Sequence, residues 1–413
     1  MSSSDFPPPV RRYLRAVTPV VTGLMLLVPA SGGAQIVAPR ESAPVTLGPV
    51  SLYPQVRMID SGKDSNVFRD SANPQEDYTA TLSSRVMGVT KFGPNELLFS
   101  SGSDYVWFQR FASERSNNAS YAARLNLAVS RFEPFIGASY LVSNSQPTPE
   151  IDARVRRVER AAQAGGALHV ADRTAIIASA RLEHSTYDDD EVFRGVALGE
   201  PLNRTGRIFS GGIRYELTPL TTLSVTGDYG EDVFPDSHRR DATSYSINPT
   251  LEFSPDAAIR GQVTAGFESF RPKDEGLSER RGAVYAAALT WTMFGRTTVG
   301  LQGSRNVGYS YLDSEQYYLW TTASLDLTQP IFGPVDIVAD VEWDRLEYLS
   351  PTGGSSLSGQ RIQMNRGGGG VGIALGRGVR MTLTAERTIR NSNFDVRQNF
   401  RATRVLSSIT VGS

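Results

Sequence analysis

The sequence predicts an all-β fold: an antiparallel, up-and-down transmembrane β-barrel of about 18 strands, with 16 as the fallback. Three observations predict it. From Ser51 onward the chain shows two-residue alternation of apolar and polar side chains and almost no helical period. Its connections alternate between short turns and longer polar loops. The alternating segments run to about 10 to 15 residues, too long for a typical soluble strand and suited to a tilted membrane strand. A secreted, water-soluble β protein, apolar inside and charged outside, is the competing fold.

The N-terminal elements come first. Arg11, Arg12 and Arg15 precede VTPVVTGLMLLVPASGGAQ, a positive region, a short apolar core and a small-residue exit. Residues 1–34 are read as a signal peptide cleaved after Ala34. The apolar core, 17–28, is shorter than the roughly 20 residues a spanning helix needs, which argues against an uncleaved anchor. Arg11-Arg12 also hints at the twin-arginine route, but a barrel must cross the inner membrane unfolded, which favours the general secretory route. Residues 35–49 are Pro-rich and read as an extended periplasmic lead-in. Residues 50–413 form the barrel.

The strands follow. In PVDIVADVEWDRLEY, Val335, Ile337, Ala339, Val341 and Trp343 alternate with Asp336, Asp340, Glu342 and Asp344. In a barrel the apolar side meets lipid and the acids meet a wet lumen. In YLWTTASLDLT, Leu319, Ala323, Leu325 and Leu327 oppose Trp320, Thr322, Ser324 and Asp326. RMTLTAERTI places Met381, Leu383, Ala385 and Ile389 opposite Arg380, Thr382, Thr384 and Glu386, with Arg387 breaking the apolar side. Short turns are expected at Phe92, Phe132, Ala171, Thr218, Ser254, Phe294, Pro330 and Gly376. Long loops are expected at 61–76, 112–117, 144–153, 188–202, 235–239, 271–278, 350–359 and 392–399, with a shorter one at 313–314. Eight turns and nine loops join 18 strands. Phe92, Phe132, Phe135, Phe253, Phe294 and Phe332 lie near the short turns. Tyr187, Phe193, Phe234, Phe267, Phe270, Tyr309, Tyr311, Tyr317 and Tyr348 gather at the loop ends. Two aromatic belts at the membrane interfaces are therefore expected.

The opening strand reads SLYPQVRMIDSGKDSNVFRD, with Pro54 in the strand and Asp64, Asn66, Val67 and Phe68 entering the loop. This resembles the β-barrel porins of the type-2 family, including outer-membrane barrels found with exopolysaccharide-biosynthesis operons. The resemblance implies a Gram-negative outer-membrane protein associated with polysaccharide export and carries over no catalytic residue. It implies outer-membrane lipid, lipopolysaccharide, the barrel-assembly machinery and polysaccharide-export components as partners. Bacterial barrels often end in an aromatic that helps assembly. Here VLSSITVGS keeps the alternation through Val405, Ile409 and Val411 but ends in Ser413, a departure that bears on the assembly signal.

Composition and motifs narrow the function. The chain has no cysteine, which excludes a disulfide scaffold and thiolate chemistry. Lys plus Arg is 42 against 43 Asp plus Glu, so nucleic acid is not expected as a partner. Asp326, Asp336, Asp340, Glu342 and Asp344 are expected to line one side of the pore. Arg380, Glu386 and Arg390 follow two strands on, and Arg124, Arg181, Arg214 and Arg260 lie on inferred inner faces elsewhere. Opposed acidic and basic walls would select polar or charged solutes, whereas local pairing would leave the wall merely polar.

YDDDE, Tyr187 to Glu191, lacks the spacing of a calcium loop and reads as a solvated loop. RGGGGVG, Arg366 to Gly372, lacks the Lys-Ser/Thr of a phosphate-binding loop and reads as a strand glycine run. His169, His184 and His238 are scattered, so neither a metal site nor a catalytic triad is expected, and no cofactor. The chain is read as a non-enzymatic conduit for polar solutes or polymer, with exopolysaccharide export implied by the resemblance. A general diffusion porin and a non-conducting structural or attachment barrel are the alternatives. Residues 61–76 and 188–202 are long enough to plug the lumen.

Overall fold

The computed structural model describes residues 45–349, 359–376 and 378–412. The proposed signal peptide, most of the lead-in, residues 350–358 of the expected 350–359 loop, Arg377 and Ser413 lie outside the described residues. All 18 expected barrel strands are present. They are β1 (Val50–Asp64), β2 (Asp77–Phe92), β3 (Asn95–Phe108), β4 (Ser116–Asn126), β5 (Phe132–Ser145) and β6 (Val155–Ala171). Next come β7 (Thr174–Tyr187), β8 (Arg204–Thr218), β9 (Thr221–Val233), β10 (Ala242–Phe253), β11 (Ile259–Pro272) and β12 (Arg280–Met293). The ring is completed by β13 (Thr297–Tyr309), β14 (Tyr317–Phe332), β15 (Val335–Tyr348), β16 (Arg361–Gly376), β17 (Val379–Ser392) and β18 (Phe400–Gly412).

Each strand pairs antiparallel with its neighbours in sequence, and β18 pairs with β1 from Gln55↔Gly412 to Asp64↔Arg404. Closure matters because lipid offers no hydrogen bond to an open edge. Below Gly412 the start of β1 has no partner from β18. A short strand, Val45–Leu47, turns back and pairs with Val50 to Leu52 there. The last residues of the expected extended lead-in therefore form a hairpin that covers the seam.

The faces settle which way round the alternation runs. Val341 is 55% exposed and Ile337 43%, whereas Asp336 is 6% exposed and Asp344 1%. The apolar residues coat the outside and the acids point in. A soluble sandwich would bury the former, so that fold is excluded.

Two local expectations are corrected. The turn placed at Phe132 lies one step earlier, at 127–131, where Ser130 takes a positive φ of 57° and Phe132 already starts β5. β1 also runs on to Asp64, past Ser61, through an irregularity in register between Met58 and Gly62 around Asp60, whose φ is 51°.

The aromatics divide differently from the expectation. Phe92, Phe132, Phe294 and Phe332 are exposed at the short-turn rim, as a belt requires. At the other end only Phe267 of the expected set is lipid-exposed. Tyr187, Phe193, Phe234, Phe270, Tyr311, Tyr317 and Tyr348 are buried in the barrel mouth. Periodicity alone does not distinguish the two, because ring side chains near a strand end suit either a membrane interface or a packed plug.

Candidate lumen and mouth

The lumen wall carries most of the charges expected on it, but many are paired locally. Arg380 donates to Asp336 at 2.6 Å, spanning the intervening strand β16. Gly372 makes room for that pair: a Cβ there would collide with the Asp336 carboxylate and the Arg380 guanidinium. The glycine run therefore lets side chains from β15 and β17 meet across β16. Arg366 pairs with Glu342 on the adjacent strand. Arg404 pairs with Glu386 at 2.8 Å and with Asp64 at 3.3 Å. Arg181 pairs with Glu183, and Arg214 reaches Glu133 at 3.4 Å. Arg124 bonds Asn126 at 2.8 Å and lies 3.8 Å from the Phe135 ring centre. Asp326 and Asp340 are register partners facing each other along the acidic side. Arg260 shows no ion pair among the described residues. Inward hydroxyls pair too, Ser304 with Thr322 at 3.1 Å. The expected opposition of two charged walls is thus largely replaced by pairing across one or two strands.

The loop-side mouth is filled. Residues 146–154, between β5 and β6, fold inward and cross it. Glu150, fully buried, accepts hydrogen bonds from the Tyr348 hydroxyl on β15 at 2.8 Å and from Ser310 Oγ at 2.5 Å. β15 lies nine strands from β6 in either direction round the ring, so this loop spans the diameter. Asp152 pairs with Arg390 on β17 and lies 3.7 Å from Arg194. Arg390 also donates to the Pro149 carbonyl at 3.1 Å. Ile151 packs with Val155, Tyr187, Phe193, Leu198, Leu202 and Tyr311. Three of these come from residues 192–202, which carry a two-strand hairpin and the single-turn helix Gly199–Leu202. The first six residues of β14, from Tyr317 to Thr322, are all buried.

Buried Arg240 braces a neighbouring loop, donating to the Leu312 carbonyl at 3.0 Å, while its own carbonyl accepts from the Tyr317 hydroxyl at 2.9 Å. Burial pushes the Glu150 carboxyl up to about 7, against the hydrogen bonds from Ser310, Tyr348 and the Tyr311 N–H and the charge of Arg240. Of the two loops long enough to plug the lumen, 188–202 packs into the mouth. The main crossing segment, QPTPEIDAR, belongs to the loop expected at 144–153, and its sequence carries little sign that it folds inward. Its signal is Ile151, one large apolar residue between two acids in a polar loop.

Below the mouth, on the short-turn side, lies a cavity of about 630 Å³ lined by charged and polar residues including Lys91, Glu96, Arg124, Glu133, Arg214 and Glu252.

The family-motif residues act at the closure seam. The Asn66 N–H donates to Asp64 Oδ1 at 2.8 Å, and the Asn66 amide reaches the Asp70 carbonyl at 2.8 Å and the Arg401 carbonyl on β18 at 3.3 Å. Ser65 N–H donates to the Thr403 carbonyl at 3.1 Å. Val67 is buried, and Phe68 meets Phe111 edge-on at 4.7 Å. The motif ties the first loop to the last strand.

The sequence matches the family described as Putative beta-barrel porin 2 over residues 39–412. The chain belongs to that family. It is a porin-like outer-membrane barrel. No curated protein matches it. Among solved structures, Pseudomonas aeruginosa OccK1 (OpdK) is similar with a TM-score of 0.47 at 10% identity, over 88% of this chain and 99% of its own. Acinetobacter baumannii OccAB3 is similar with a TM-score of 0.47 at 9% identity, over 89% of this chain and 100% of its own. The family assignment rests on the sequence match.

The remaining motifs are structural in this porin. In YDDDE, Asp188 pairs with Arg156 at 2.7 Å and Glu191 accepts from the Arg156 N–H at 2.7 Å, pinning a loop base. His184 Nδ1 lies 3.0 Å from Thr205 Oγ1 on the next strand.

Proposed function

We propose that this porin passes small polar, hydroxylated solutes of the size of single saccharide units, through a lumen restricted at the loop-side mouth. The observation that supports this reading is the pairing of a polar lower cavity with a mouth crossed on its diameter by residues 146–154. Inward hydroxyls and ion pairs replace water around sugar hydroxyls at little net cost, while the closed wall excludes lipid. A solute must displace or slip past the crossing loop, so passage is selective, which argues against a general diffusion porin. No cofactor and no catalysis belong to this reading. A liposome-swelling assay tests it: monosaccharides should enter faster than tetrasaccharides, and equal rates for both would count against it.

Export of an exopolysaccharide chain, implied by the family resemblance, is the second reading. It requires the crossing loop to move aside, and the buried ionisable Glu150 within that loop favours a displaceable element over a fixed one.

A further inference from the structure

Ion pairing does not account for every arginine of the lumen wall. On β1, β2 and β4 three guanidiniums face inward with no ion pair among the described residues. Arg57 points into the lumen because its neighbours Val56 and Met58 are the exposed, lipid-side residues. It is 7% exposed, and its Nε has no acceptor. Its register partner on β2 is Ser83, 1% exposed, whose hydroxyl also lacks a partner. Ser83 in turn faces Asp104 on β3, with one carboxylate oxygen unsatisfied. Asp60, the other carboxylate near Arg57, is taken by Arg404 at 3.6 Å.

Arg85 stands two residues nearer the short turns, between Gln55 and Gly102. Neither partner carries a charge, and Gly102 leaves the wall without a side chain beside the Arg85 stem. Arg124 pairs with Leu98, four residues lower still, and lines the cavity. At about 3.3 Å per residue, the two steps are about 7 and 13 Å.

A guanidinium shut from water with no counter-charge, as at Arg57, is costly, and several arginines elsewhere in this wall, such as Arg380, Arg366 and Arg404, reach carboxylates. Guanidinium nitrogens match the two oxygens of a carboxylate. Asp104 beside them repels a dianion but accepts hydrogen bonds from hydroxyls. We infer that Arg57 and Arg85, with Ser83 and Asp104, form a binding step for a hydroxylated monocarboxylate such as a sugar acid, with Arg124 as the next contact toward the cavity. The inference rests on the reading of the lumen as a solute path and names its preferred substrate class.

Isothermal titration of the refolded barrel with glucuronate, glucose and inorganic phosphate tests it, beside bilayer recordings on the same preparation. Glucuronate should bind at least about tenfold more tightly than glucose or phosphate, and R57Q/R85Q should lose that preference while keeping the heat-modifiable gel shift of a folded barrel. Should the double variant not fold, the single Arg85→Gln change at the exposed residue is read the same way. Equal affinity for glucuronate and glucose, or undiminished glucuronate binding in a folded variant, overturns the inference while any conductance leaves the porin reading standing. Glucuronate binding that the variants abolish, in a barrel that does not conduct, upholds the binding step and sinks the solute path.

Discussion

At the scale of single residues, two positions carry more than their chemistry suggests. Gly372 lets Arg380 reach Asp336 across β16. Gly372→Val should force that pair apart and destabilise the barrel by about 1–3 kcal/mol, read as a lower urea midpoint in lipid. An unchanged midpoint would mean the pair has no need of the gap. Asn66 holds its own loop through the Asp70 carbonyl and the seam through the Arg401 carbonyl on β18. Asn66→Ala leaves both without that donor and should cost about 1–3 kcal/mol in the same assay, more than Ser-to-Ala changes on exposed loops. The alternation of faces was legible, because a period of two assigns faces once one face is known to meet lipid. The partners of the inward side chains were not. Asp336 and Arg380 are 44 positions apart, and only register brings them together across a glycine.

At the scale of elements, the proposed function turns on the crossing loop. Its buried Glu150 has a carboxyl raised to about 7 from an ordinary 4.5. Below about pH 4.5 the ordered and released loop are both protonated and pH does not discriminate them. Between about 4.5 and 7 only the released carboxyl ionises, so release gains about 1.4 kcal/mol per pH unit. Above about 7 both ionise, and the gain levels off at roughly 3 kcal/mol. The closed mouth is thus favoured in acid and loosened by rising pH. The time-averaged conductance should climb from pH 5 to pH 7 and then flatten. Glu150→Gln, neutral throughout, should hold the closed level across that range. A flat profile in the unaltered protein would rule out Glu150 as a control on the loop. Strand boundaries were legible to within a few residues, since Pro, Gly and Asp mark the turns. The inward fold of the loop at 144–153 was not, because it depends on tertiary contacts reaching as far as β15 and leaves no local pattern beyond Ile151.

At the scale of the whole molecule, the barrel follows from three simple demands: alternate faces, paired backbones and no open edge. Those demands made the 18 strands and their antiparallel order readable from turn spacing alone. The filled mouth depends on inward-folded loops, whose packing is tertiary, and so in sequence the aromatics there look the same as a lipid-facing belt. The architecture makes a conduit only if the crossing loop, rather than the wall, limits flow. Single-channel recording of the folded protein beside a variant lacking residues 147–152 tests this most directly. The deletion should give a markedly larger, steadier conductance than the complete chain. Equal conductance in the two would show that the loop does not close the mouth, and silence from both folded barrels would contradict a solute path altogether.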